Sequence, residues 1–108
     1  MAGKITSGRI CVVGERELVI GFRLIGLSDS YIATGEEGAK KVIELLRDSS
    51  FSLIMVSESI KEFMDPRQRR MADSSSDPVV VFIPLPGGQD LESVADLARR
   101  VLGVEIRG

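Results

Sequence analysis

The sequence predicts a small doubly wound α/β domain with a four-stranded parallel sheet, and two features carry that expectation. Uninterrupted apolar runs at Ile10–Val13, Ser52–Val56 and Val79–Ile83 lack the polar alternation of a half-exposed strand, as strands covered on both faces do. Segments whose apolar residues recur at helical spacing separate the runs, so strand and helix alternate along the chain.

The first run leads through Gly14 into a stretch where Leu18, Phe22 and Ile25 share one helical face while Arg16, Glu17 and Arg23 point elsewhere. This switch of period within a few residues is the start of a βαβ unit. Gly21 sits mid-helix at a cost of ~1 kcal/mol relative to alanine, which close approach of helix to sheet would offset. Gly26 suits the helix C-terminus.

Tyr31–Ala33 reads as a second strand, short enough to lie at an edge. Glu36 and Glu37 favour a helix N-terminus through the macrodipole, and Ala39, Val42, Ile43 and Leu46 form that helix's apolar stripe up to Arg47. After the Ser52–Val56 strand, Ile60, Phe63 and Met64 mark a third helix starting near Ser57, with Pro66 expected to kink or end it. Asp65–Asp77 has three arginines, three serines and almost no apolar content, which predicts a mobile segment over about 65–77 and a solvated surface for Arg67, Arg69 and Arg70. Val79–Ile83 is the fourth strand, and Pro84, Pro86, Gly87 and Gly88 stop its pairing.

Asp90 then fits an N-cap for a helix in which Leu91, Val94, Ala95, Ala98, Val101 and Leu102 follow 3.6-residue periodicity, with Arg99 and Arg100 suited to its negative end and Gly103 to its stop. The domain division that follows is an α/β body over 1–84, a hinge over 85–89 and an amphipathic helix with a tail over 90–108. With right-handed crossovers and a flavodoxin-like order 2-1-3-4, helix one covers one sheet face and helices two and three the other. One face is therefore short of cover, and either the final helix or a partner completes it.

At 108 residues the chain makes one domain with a core that needs no disulfides or metals, and its 44% hydrophobic and 28% charged residues are an ordinary globular mix. A net charge of −2 gives no footprint for nucleic acid or an anionic membrane. Cys11, in the first strand, reads as a small buried hydrophobe, and a single cysteine allows no disulfide framework. Neither a signal peptide nor a span of ~18 apolar residues is visible, so a soluble, cytoplasmic chain is the expectation.

Domains of this class carry their chemistry at the carboxyl ends of the strands. Gly14-Glu15-Arg16 matches neither the dinucleotide fingerprint nor a P-loop, so no nucleotide cofactor is expected. A response-regulator receiver has this layout but needs an acidic cluster after strand one and an aspartate after strand three, where this chain has Ser57-Glu58. The absence of histidine removes the usual general base and the commonest metal ligand, and leaves Ser57 without an activating partner. Glu15, Glu17 and Glu58 read as solvated carboxylates rather than a cation site. These features argue against catalysis and against a resident cofactor or metal.

The stretch VVGERELVIGFRLIGL, with Gly14, Val19, Gly21, Phe22, Leu24 and Gly26 in place, resembles the opening motif of the F subunit of the V-type and archaeal A-type rotary ATPases. Pro78 before an apolar strand ending in Ile83-Pro84, and a closing helix that runs into Gly103-Val104-Glu105-Ile106, extend the resemblance over nearly the whole chain. Glu15 stands for the family's usual aspartate, and Leu18 and Ile20 stand where threonines are common. The resemblance implies a non-catalytic component of the rotor's central stalk, peripheral to the membrane. Such a component binds the coiled coil of the stalk's D subunit, contacts the catalytic A3B3 head and the stalk base, and tunes ATP turnover through its C-terminal segment. On this reading Leu91, Val94, Ala95, Ala98, Val101 and Leu102 are anchors for the D-subunit coiled coil, or the seam of a homodimer when the chain is isolated. The alternatives are a stand-alone receiver-like signalling domain without phosphotransfer and a small-anion sensor that uses the Gly14 turn and Arg16.

Overall fold

The computed structural model describes residues 9–84 apart from residue 49, together with residue 99. The expected hinge over 85–89 and, but for residue 99, the expected helix and tail over 90–108 lie outside the described residues, and all six anchor positions lie there too. The described chain runs β1 (Arg9–Gly14), α1 (Arg16–Leu24), β2 (Ser30–Ile32), α2 (Gly35–Leu46), β3 (Phe51–Ser57), α3 (Glu58–Lys61), α4 (Pro66–Ser74) and β4 (Val79–Ile83). The sheet has four strands in the order β2-β1-β3-β4, all neighbours parallel, as the sequence predicts.

Two of the three apolar runs lie where coverage on two faces was inferred from them, whereas Val79–Ile83 forms an edge strand on which only Ile83 is buried. Cys11, Val12 and Val13 of β1 and Ile54, Met55 and Val56 of β3 are all 0% exposed. Alternation then divides the core. Val12 and Met55 face α1, packing with Leu18, Val19, Phe22 and Ile83. Cys11, Val13, Ile54 and Val56 face the opposite way, onto Ala39, Val42 and Leu45 of α2, Ile60 of α3 and Ala72 of α4. Helix one is thus on one face and the later helices on the other. Among the described helices α1 alone covers its face, where Ile10, Leu53 and Val81 stay half-buried and Val79 is 40% exposed.

Helix α1 ends as its glycine predicts. The Gly26 N–H donates to Arg23 O and the Leu27 N–H to Phe22 O, the paired bonds of a Schellman stop, and Gly26 has φ 105°, which disfavours any residue with a Cβ. Leu27 packs against the cluster that contains Phe22, and the Arg23 Nε–H donates to Ser30 Oγ at 2.7 Å, so the helix end is fastened to the start of β2. Gly21 is buried on the inner side of α1. The edge strand β2 starts one residue earlier than Tyr31, and β3 extends one residue beyond each end of Ser52–Val56.

The main departure concerns the polar stretch after β3. Composition predicts a mobile loop over Asp65–Asp77 and a third helix that Pro66 kinks or ends; the structure ends α3 at Lys61 and starts α4 at Pro66. Pro66 is the first residue of this helix, where its missing N–H and fixed φ cost nothing. Asp65 is the N-cap of a complete capping box: its side chain accepts from the Gln68 N–H at 2.7 Å, and Gln68 Oε1 accepts from the Asp65 N–H at 3.0 Å. Ala72 is buried and Met71 packs against the core, so two residues suffice to seat an otherwise charged helix. Phe63, expected on the apolar face of the third helix, lies in the intervening turn and is 52% exposed, whereas Ile60 and Met64 are buried.

Replacing Asp65 with alanine removes the acceptor that holds the first turn of α4. A loss of ~1 kcal/mol in urea unfolding is expected. Early loss of amide protection confined to 66–74 should accompany it, and a variant indistinguishable from wild type would show that the capping box does not set this helix.

Candidate functional site at the carboxyl ends of the strands

The chain leaves β1 towards β2 on one side and returns past it to β3 on the other, so the carboxyl ends of β1 and β3 flank the point where the winding direction reverses. Ligand crevices of this fold class form there. The residues brought together are Gly14 and Glu15 from β1, Ser57, Glu58 and Ser59 from β3 and α3, and Pro84 after β4. Ser57, Glu58, Ser59, Glu62 and Pro84 line an open cleft of about 280 Å³.

Close approach sets the floor of this site. A Cβ on Gly14 would lie 2.8 Å from Leu18 Cδ2 and 2.9 Å from Ser57 Cβ. The leucine methyl can move, but Ser57 is held in a buried central strand. Glycine is needed here for space rather than for φ.

Glu15 precedes the first turn of α1 and makes no side-chain cap bond to its own helix. Its carboxylate reaches across to α3 instead, where the Ser59 hydroxyl donates to Glu15 Oε2 at 2.5 Å. Ser57 Oγ lies 3.1 Å from Ser59 Oγ, and because the Ser59 proton is committed to the carboxylate, Ser57 donates to Ser59. A directed chain of two hydroxyls therefore ends on a carboxylate and joins the ends of β1 and β3. Burial raises the Glu15 pKa, but hydrogen bonding from the linked serine hydroxyls and from the Glu15 backbone outweighs it and holds the carboxyl below its ordinary range. Its other oxygen, Oε1, is out of contact with solvent and has no hydrogen-bond partner.

Chemically the arrangement is a fastening. Ser57 donates its proton into the chain and is 1% exposed, so it presents no activated nucleophile. Among the described residues no group of three or more histidine, cysteine, aspartate or glutamate side chains could hold a metal ion. The Cys11 thiol is pushed up to about 12 by its burial, with the Asp29 carboxylate adding to the shift, and stays protonated.

The motif residues divide into two roles. Gly14 and Glu15 follow β1 and Pro84 follows β4 at the same end of the sheet, while Gly21, Phe22 and Gly26 serve the packing and termination of α1. Leu18 is fully buried in the core cluster under α1, and Ile20 is half-buried. Sequence reading takes Glu15 and Ser57 separately and overlooks Ser59. The hydroxyl at Ser59 carries no periodic or motif signal, and only the sheet order brings it to Glu15.

A family model described as "ATP synthase (F/14-kDa) subunit" matches residues 10–101. The chain belongs to this family. It is 44% identical over 97 residues to the F subunit of the A-type ATP synthase of Thermoplasma acidophilum, covering 90% of this chain and 93% of the relative. The corresponding F subunit of Methanothermobacter thermautotrophicus is 36% identical over 104 residues, covering 93% and 97%. The crystal structure of the V-type ATP synthase F subunit from Archaeoglobus fulgidus has the same fold, with a TM-score of 0.65 and 29% identity over 71% of this chain and 98% of that one. The opening motif thus points to the family that the matches show, and the strand-end fastening described above is how this member closes its switch point.

Two outcomes follow. Gly14→Ala gains ~0.4–1 kcal/mol from a stiffer unfolded chain but forces a contact under 3 Å against a fixed strand, so a net loss of ~1–3 kcal/mol is expected in urea titration. A stabilised variant would contradict the packing argument. For Glu15 the folded pKa is depressed, so its stabilisation is present above the ordinary carboxylate value of ~4.3 and is lost as pH falls through the lower folded value. Glu15→Gln should be less stable at pH 7, and its stability should fall less than that of wild type between about pH 5 and pH 3. Parallel acid limbs would show that the carboxylate gains nothing from the serines.

Proposed function

We propose that the chain is a non-catalytic central-stalk component of an A/V-type ATPase, gripped by the coiled coil of the D subunit and contacting the A/B head and the stalk base. The family match over residues 10–101 carries this reading, since relatives aligned over nearly their whole length are named as F subunits of A-type ATP synthases. The strand ends support it: Glu15, Ser59 and Ser57 bond to one another and fasten the end of β1 to that of β3, so the domain is suited to being held as a rigid body. Among the described residues no helix is long and apolar enough to cross a membrane, in keeping with a peripheral, cytoplasmic place in the complex.

The surface that meets the D-subunit coiled coil is assigned to Leu91, Val94, Ala95, Ala98, Val101 and Leu102, whose spacing gives one apolar helical stripe. The half-buried Ile10, Leu53 and Val81, with the exposed Val79, leave a sheet face that the same stripe can cover when the coiled coil is absent. Each fully buried large aliphatic is worth ~1.5–3 kcal/mol, so burial in either resting place would contribute several kcal/mol, and a hinge over 85–89 would let the helix exchange between them.

Amide exchange over residues 90–102, measured with and without the purified D subunit, tests the assignment. Protection should rise on mixing. Complex formation with unchanged protection there would move the interface elsewhere, and failure to form a complex with the coiled coil would reject the stalk reading itself.

A further inference from the structure

An open sheet ends in two strands whose outward N–H and C=O groups are a template for another chain. Among the described residues those strands are β2 and β4. Each carries an aromatic residue on the side of the sheet that α2 covers, and both rings, Tyr31 and Phe82, stay half-buried against that core cluster. A partly exposed ring on an edge strand is a ready cross-strand partner for an added strand.

A lysine stands over each ring. Lys41 of α2 places Nζ 4.5 Å from the centre of the Tyr31 ring, with Glu44 Oε1 3.5 Å away, and Lys61 at the end of α3 places Nζ 5.0 Å from the centre of the Phe82 ring. The two lysines come from different helices and reach opposite edges of the same sheet. The rest of each edge is short or blocked. β2 has three residues. At the start of β4, Val79 pairs with Leu53 of β3 on one side and with Ser76 of the preceding turn on the other, and Pro84, directly after the strand, has no N–H to offer. What remains of β4 is uncharged, and Lys61 covers its one ring. A strand added at either edge would have to displace the ammonium from the ring or strip its water.

We propose that Lys41 and Lys61 are edge guards, which close the two free edges of the sheet to strand addition by a second copy of the chain. The guard lies in the charge held over the ring, and it acts in the free chain whether or not the chain has a place in the rotor.

Sedimentation of the full chain over a concentration series tests this, together with amide exchange in β2 and β4 and thermal melts to establish that each variant folds. Lys41→Met with Lys61→Met keeps an unbranched side chain over each ring and removes the ammonium. This pair should self-associate at least about tenfold more tightly than wild type, and exchange in an edge strand should slow as concentration rises. Lys41→Gln with Lys61→Gln removes the charge without adding apolar surface and should move the same way. Lys41→Arg with Lys61→Arg keeps the charge and should match wild type. Lys40→Met, the same loss of charge at the exposed neighbouring position, should leave association unchanged. Methionine and glutamine pairs that associate no more than wild type, an arginine pair or Lys40→Met that associates as they do, or association without slowed exchange in either edge strand would each overturn the proposal.

Discussion

The pairing of β1 with β3 is the constraint on which the rest of the structure depends. Both strands are central, and their apolar residues are buried on both faces, so every other element is positioned by what it covers. A fully buried large aliphatic contributes ~1.5–3 kcal/mol, whereas a whole domain is stable by only ~5–15 kcal/mol. Loss of this pair would therefore leave neither core cluster intact, while the surface contacts at the periphery are of another order. The Arg9–Asp29 bridge, at 3.3 Å, is solvent-exposed and adds little.

The same pair creates the strand-end site and limits what it can do. Because β1 and β3 are neighbours, Gly14 lies against Ser57, and the residue that follows each strand falls at the switch point of the winding. In many domains of this class that position holds a ligand. Here Glu15, Ser59 and Ser57 bond to one another, so apart from Glu15 Oε1 the polar groups that elsewhere would recognise a substrate are engaged with each other. A member of the ATP synthase F subunit family thus keeps the scaffold of a ligand-binding domain and uses its crevice to tie two strands together.

Helix α4 shows how a nearly apolar-free segment is held in place. Its hydrogen-bonded cap and its proline supply the start, and Ala72 with Met71 supplies contact with the core. The outer side is then free to carry arginines, and the turn before it is free to expose Phe63. Without the cap, nine residues with so little apolar surface would be too short to hold helical structure by propensity alone.

The amino-acid sequence by itself determined the strands of the sheet, the helices α1 and α2, the order of the layers and the stop at Gly26. Burial on two faces demands unbroken apolar runs, one-sided burial demands a helical stripe, and both are local patterns. Helix α4 was legible too, though in capping chemistry rather than hydrophobic period: Asp65, Pro66 and Gln68 stand at the N-cap, N1 and N3 positions. Only the tertiary structure decided that Glu15 meets Ser59, that Gly14 is a matter of space against Ser57, and that Phe63 is left outside the core. Each of these depends on a distance between residues far apart in the chain or in different elements, and such distances are fixed by strand register and packing, which no local pattern encodes.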